Sequence, residues 1–175
     1  FFPELEKRGI KYCIHMGDAF DNRKNIDYWS LDWAKEHVYD KFKNLGVQVW
    51  QLVGNHDVYY KNTNKINSID SLLEHYDNII PISRPDTYDI DGFRAMMMPW
   101  ICDDNYQETL AAIDKSDAKM AFGHLELTGF ELYPGMFQQG GIDKGIITKF
   151  PTVFSGHYHT RSNDCQVFYL GNPYE

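Results

Sequence analysis

Four stretches of this chain run from a short apolar segment directly into a glycine followed by side chains that bind metals or protons. Lys11 to Met16 leads into Gly17-Asp18, and Val47 to Val53 leads into Gly54-Asn55-His56-Asp57. Lys119 to Phe122 leads into Gly123-His124, and Thr152 to Ser155 leads into Gly156-His157-Tyr158-His159. Apolar runs of this length, rich in β-branched and aromatic residues, read as strands. In open α/β sheets the ligand site lies just beyond the carboxyl ends of the strands. The pattern therefore predicts that all four motifs gather at one edge of a sheet.

Between the motifs the periodicity is helical. Asp27 is placed to cap a helix over Tyr28 to Leu45, with Leu31, Ala34, Val38, Phe42 and Leu45 on one face and Gly46 as the stop. Glu4 to Arg8 reads as the tail of a helix ended by Gly9. Ser68 opens a shorter helix to Tyr76, and Asn105 to Lys115 is a further one. Thr87 to Ile90, Asp91-Gly92 and Phe93 to Met98 read as a hairpin with a tight turn, and Gln166 to Leu170 is a last strand. Alternating strands and helices with a hairpin between them specify an α/β layered domain with a mixed sheet.

The motifs hold six side chains with relevant chemistry: Asp18, Asn55, His56, His124, His157 and His159. One carboxylate, one amide and four imidazoles form the mixed oxygen and nitrogen set that divalent Lewis-acid ions accept. A carboxylate can bridge two ions, and two ions about 3.5–4 Å apart can hold a phosphoryl group between them. Taken singly, each motif has a plainer explanation. Gly-Asp after a strand is commonly a turn or a cap, and Gly-Asn-His-Asp is rich in residues that favour turns. Gly-His alone carries little information, whereas in Gly-His-x-His residues i and i+2 can aim at one point. The shared placement of all four at strand ends is what points to a metal centre.

Composition excludes some classes. No apolar run approaches the roughly 20 residues of a membrane span, and Phe1-Phe2-Pro3-Glu4 does not start a basic-then-apolar leader. Cys13, Cys102 and Cys165 lack metal-knuckle spacing and indicate reduced thiols in a cytoplasm. The formal charge of −8 argues against non-specific attraction to a phosphate backbone, although a carboxylate-rich site changes sign when its cations bind.

In order along the chain, Gly17-Asp18-Ala19-Phe20-Asp21, Gly54-Asn55-His56-Asp57, Gly123-His124 and Gly156-His157-Tyr158-His159 resemble four of the five blocks of the calcineurin-like metallophosphoesterase superfamily. The resemblance covers nearly the whole chain. It implies a layered metallophosphoesterase sandwich over residues 1–175, with mixed β-sheets flanked by helices, and hydrolysis of a phosphate ester with two divalent ions. By this likeness Asp18 bridges both ions, Asn55, His124 and His157 complete one site, and His159 serves the other. His56 is then not a ligand but contacts the scissile phosphate and assists the leaving group. Mn²⁺ is the ion the likeness implies; the ligand set itself tolerates Mg²⁺, Zn²⁺ or Fe.

Further tokens narrow the resemblance. Gly17 to Lys24, Val53 to Asp57, Pro99-Trp100, Gly123 to Phe130 and Ser155 to Thr160 are similar to the nuclease subunit of SbcCD-type double-strand-break repair complexes. They are more similar still to the recombination endonuclease subunit of T-even-like phages. This implies phosphodiester cleavage in DNA, as an endonuclease or exonuclease, with an SbcC-type ABC ATPase as partner. It also implies a homodimer, no membrane, and a cytoplasmic location, the host cytoplasm if phage-encoded. Asp21, Arg23 and Asp57 are candidates for phosphate contact or for shaping the site. Asp21 stands where the cellular nucleases often have a histidine.

The chain departs from the family at the first block, D-x-H. That block is expected upstream of Phe1, and further strands with a DNA-facing module are expected beyond Glu175. With Asp18 and His159 as its protein ligands, the second ion's site is expected to be incomplete and hydrolysis by these 175 residues low. Two other readings stay open: a phosphomonoesterase or cyclic-nucleotide phosphodiesterase of the same superfamily, and a non-catalytic partner-binding module with a lapsed site. The Gly123-to-Phe130 run speaks against the first, and an intact upstream D-x-H would exclude the second. His15, His37 and His75 are expected to be structural, and Met96 to Met98 to form core strand. Tyr59, Tyr60, Lys61 and Lys65 read equally as a solvated loop or a DNA groove.

Overall fold

A parallel strand covered on both faces must be apolar almost throughout, whereas an edge strand tolerates polar residues and proline. The computed structural model, which describes residues 1–133 and 135–172, sorts the chain by this rule. Helix α1 (Phe2–Arg8) is closed by Gly9 at φ 62° and leads into β1 (Tyr12–His15). The long helix expected next is capped by Asp27, whose carboxylate accepts the Ser30 N–H at 2.8 Å. It is divided, however, into α2 (Tyr28–Ala34) and α3 (Asp40–Asn44) by a π-helical turn over Lys35–Tyr39. The wider turn shifts the helical phase. Tyr39 and Phe42 enter the core, whereas Leu31, expected on the same face, lines a surface pocket.

Strand β2 (Gln48–Leu52) is followed by a hairpin of β3 (Val58–Tyr60) and β4 (Thr63–Asn67). Helix α4 (Ser68–Leu72) is capped by Asn67 and stops short of Tyr76. Strand β5 (Ile79–Ile82) completes a parallel three-stranded sheet in the order β1-β2-β5. The small hairpin and β5 were not expected. Polar Lys61, Asn62 and Asn64 mask the first, and Pro81 masks the second, as befits an edge strand.

The larger sheet begins with β6 (Asp86–Ile90) and β7 (Phe93–Met98), which pair antiparallel around Asp91 at φ 53° and Gly92 at φ 85°. Two successive left-handed residues form the two-residue hairpin turn expected from the sequence. Helix α5 (Tyr106–Lys115) and β8 (Met120–Gly123) follow, then the small pair β9 (Glu131–Tyr133) and β10 (Met136–Phe137) and a 3₁₀ turn at Lys144–Ile147. Strands β11 (Thr152–Ser155), β12 (Ser162–Asn163) and β13 (Val167–Tyr169) complete a mixed sheet ordered β12-β13-β11-β8-β7-β6. Its four inner strands are parallel, and the antiparallel β6 and β12 form its edges.

Side-chain alternation builds the layers. In β2, Val49 packs on Tyr39, Phe42 and Ile69 of the helices, while Trp50 and Leu52 face the other sheet. In β7, Ala95 and Met97 meet Trp50 and Leu52, while Met96 and Met98 pack with Ile113 of α5. Met96 to Met98 are fully buried core, as expected from the sequence. The result is helices, three-stranded sheet, six-stranded sheet, and then α5 with its loops: a mixed α/β sandwich.

A Cβ at Gly92 would meet nothing within 4 Å, so only its φ constrains it. Gly92→Ala should therefore cost about 1–2 kcal/mol, the penalty of a left-handed L-residue, read as a lower urea midpoint with an unchanged slope.

Candidate metal centre

Both sheets deliver their parallel strands' carboxyl ends to one place, and hydrogen bonds join the sheets there. The Trp100 N–H after β7 donates to the Val53 carbonyl after β2 at 2.7 Å. Nδ1 of His124, after β8, donates to the Met16 carbonyl after β1 at 2.8 Å. The motifs thus meet across two sheets, not along the edge of one as the sequence pattern suggested.

That bond to Met16 sets the chemistry of His124. A carbonyl only accepts, so Nδ1 carries a proton, and Nε2 is the nitrogen turned toward the other candidate ligands. Nε2 lies 2.8 Å from Asn55 Oδ1, 3.2 Å from Asp18 Oδ2 and 3.2 Å from His157 Nδ1. Asn55 Oδ1 is also 2.9 Å from His157 Nδ1. Of these four atoms only the two ring nitrogens can carry a proton, and a ring that ligates gives it up. Lone pairs crowded in this way repel in a buried setting unless a cation sits among them. Asp18, His124 and His157 each offer a ligand atom, all within 4.8 Å of one another, close to the span of two metal–ligand bonds of about 2.0–2.2 Å. The donor set fits a divalent ion.

The backbone is strained at this point. Asp18 at φ 53° and His157 at φ 56° occupy the left-handed region that non-glycine residues rarely visit. Asp57 holds the first of these in place. Its carboxylate, 1% exposed, accepts the N–H groups of Asp18 at 2.8 Å, Ala19 at 3.0 Å and Gly54 at 2.8 Å, binding the loop after β1 to the loop after β2. The loops are so close that a Cβ at Gly54 would overlap Asp18, and one at Gly17 would overlap the His124 ring.

Burial opposes ionisation of Asp18, but the hydrogen bond and charge of His124 and the His56 N–H outweigh it and hold the carboxyl below its usual range. Burial, reinforced by His124, lowers His157 to about 3 and His15 to about 4. Both rings are therefore neutral at ordinary pH, the form that ligates. Burial pushes Asp57 up to about 6, against the pull of the Gly54 N–H.

The remaining candidates fall in several places. His159 is outside the tight cluster but lines the same cleft of about 460 Å³, together with Asp18, His124 and His157. His56 sends its own N–H to Asp18 Oδ1 at 2.8 Å, while its Nδ1 is 2.5 Å from the Asp21 carbonyl. Asp21 thus contributes its backbone to His56. Arg23 is not in the cleft but lines a separate pocket with Asp57. His15, expected to be structural, also borders the cleft, its Nδ1 held by Gln51 Nε2 at 2.7 Å. Its place two residues before Gly17 was the available signal. Trp100, part of the Pro99-Trp100 pair that carries the family likeness, sets its ring 5.4 Å from that of His157.

This fold is that of a metallophosphoesterase, and the chain belongs to the calcineurin-like phosphoesterase family, whose sequence pattern matches residues 1–161. It is similar to exonuclease subunit 1 of Enterobacteria phage T4, at 37% identity over 169 residues. The match covers 97% of this chain and 49% of the phage protein, so the chain spans about half the length of that curated relative.

Asp57→Asn replaces an acceptor oxygen with a donor facing N–H groups. It should cost about 1–3 kcal/mol, the penalty for leaving buried donors unpaired, and calorimetry should show weaker Mn²⁺ binding. His157 and His15 have folded pKa values below their unfolded value of 6.5. The unfolded chain therefore binds more protons between those limits, so stability is fully present above the unfolded value and is lost on acidification. Metal-free protein should show a falling urea midpoint as pH drops from about 7 to about 5.

Proposed function

We propose that this chain is the catalytic part of a DNA nuclease that hydrolyses phosphodiester bonds in recombination and double-strand-break processing. The observation that carries the reading is the convergence of Asp18, Asn55, His124 and His157 on one point, in a chain related to a phage exonuclease subunit. Asp18, Asn55, His124 and His157 would hold one divalent ion, with Asp18 and His159 directed to a second. Bound there, the ions, Mn²⁺ first among them, supply positive charge to the phosphoryl group and lower the pKa of an attacking water.

The protein's own part is positional and acid–base. His56 donates its Nδ1–H to the Asp21 carbonyl, which orients the ring and leaves Nε2 to meet the substrate. From there it can give a proton or a hydrogen bond to the leaving oxygen. Its backbone N–H on Asp18 ties that position to the metal cluster. A lapsed site would not be expected to keep strained ligands and an oriented histidine together.

The likeness to two-subunit repair nucleases supports DNA as substrate, an SbcC-type ABC ATPase as partner and action in the cytoplasm of a phage host. Among the described residues no helix is long and apolar enough to cross a membrane. A homodimer is part of the same reading; Trp29 and Trp33, 74% and 46% exposed on α2, offer an apolar surface for it.

His56→Ala in the full-length protein should leave Mn²⁺ content intact and lower turnover of DNA by roughly 10²–10⁴-fold, the usual loss for an acid–base group. Metal content falling in step with activity, measured by mass spectrometry, would make His56 a ligand and overturn its assigned role.

A further inference from the structure

A second recess lies beside the metal cleft, with a volume of about 310 Å³, and Arg23, Lys24, Asp57, Tyr59, Ser68 and Ser71 are among its lining residues. Its notable feature is an orphan. Arg23 Nη1 is buried and has no hydrogen-bond partner among the described residues. A guanidinium nitrogen removed from water without an acceptor is costly. Asp57, the one carboxylate in the lining, is engaged by the N–H groups of Asp18, Ala19 and Gly54 and by the Ser68 hydroxyl, and makes no hydrogen bond to Arg23. Lys24 brings a second positive charge, its Nζ 5.2 Å from the centre of the Tyr59 ring. The recess thus joins cationic donors to an aromatic face, and its one carboxylate is not bonded to either cation.

Its position indicates which anion. The loop carrying Arg23 and Lys24 begins at Asp21, whose carbonyl holds the His56 ring at 2.5 Å. The strand carrying Tyr59 (β3, Val58–Tyr60) begins just after His56-Asp57. Both walls of the recess therefore spring from the neighbours of the histidine that faces the leaving oxygen. We infer that this recess is the subsite for the nucleotide on the leaving-group side of the cut, with Arg23 and Lys24 taking its phosphate and Tyr59 its base. The inference rests on the nuclease reading and adds to it a place for the substrate strand. It takes up Tyr59, which the sequence left between loop and groove. A planar guanidinium suits a phosphate through paired N–H donors, and a base stacks on an aromatic ring without regard to sequence.

The test uses the full-length protein with Mn²⁺, a single-stranded oligonucleotide and bis-p-nitrophenyl phosphate, a diester too small to span the cleft and the recess. Arg23→Ala should raise KM for the oligonucleotide about tenfold and leave hydrolysis of the small diester unchanged. The slope of log affinity against log salt should shrink by roughly 0.7, one phosphate contact on a single strand. Arg23→Lys should keep the slope, which separates charge from packing. Tyr59→Ala should raise KM and leave the slope as it was. An unchanged KM and slope in Arg23→Ala would overturn the subsite. So would a parallel loss on both substrates, or a change of oligomeric state in light scattering with KM for DNA unaltered, which would make the recess a self-association contact. Wild-type protein that cleaves the small diester and not DNA would sink the nuclease reading itself, whatever Arg23 does.

Discussion

The buried carboxylate of Asp57 is the interaction on which the rest of the site depends. It binds three backbone N–H groups from two loops that are far apart in sequence, at Asp18, Ala19 and Gly54. Without it, nothing in the chain's local preferences would hold Asp18 in a left-handed conformation or bring it against the turn that carries Asn55 and His56. A carboxylate can do this because its two oxygens accept several hydrogen bonds at once. The cost of burying the charge appears as the raised pKa of Asp57.

Around that tie the fold gathers groups that each offer a ligand atom. The Met16 carbonyl accepts the Nδ1–H of His124 on the far side of the ring and turns Nε2 toward Asn55, Asp18 and His157. The strand ends, the paired sheets and the close glycines hold this arrangement together. An ion bound among them would displace any proton on the ring nitrogens, which would couple metal binding to local order. The left-handed backbone at Asp18 and His157 and the buried imidazoles belong to one arrangement, whose donor atoms fit a divalent ion.

Much of the fold was legible because its signals are local. The Asp27 cap, the Gly9 and Gly46 stops, the Asp91-Gly92 turn and the alternation in β7 each depend on residues within a few positions of one another. What was missed depends on distant partners. The π-turn over Lys35–Tyr39 is set by how Tyr39 and Phe42 seat on β2. The β3–β4 hairpin carries polar residues because part of it faces solvent. Strand β5 accepts Pro81 because it pairs on one side only.

By itself the sequence singled out the candidates for the site: Asp18, Asn55, His56, His124, His157 and His159, each after a strand, in an order that resembles one superfamily. Glycine before each ligand motif and apolar runs before each glycine are enough for that, since both are properties of neighbouring residues. Only the tertiary structure decided how the motifs are divided between two sheets and which histidine nitrogen faces the cluster. It also decided that Asp57 ties the loops together, that Asp21 offers a carbonyl to His56, and that Arg23 lies in a separate recess. These depend on contacts across 35 to 108 residues of chain, and no spacing rule reaches that far.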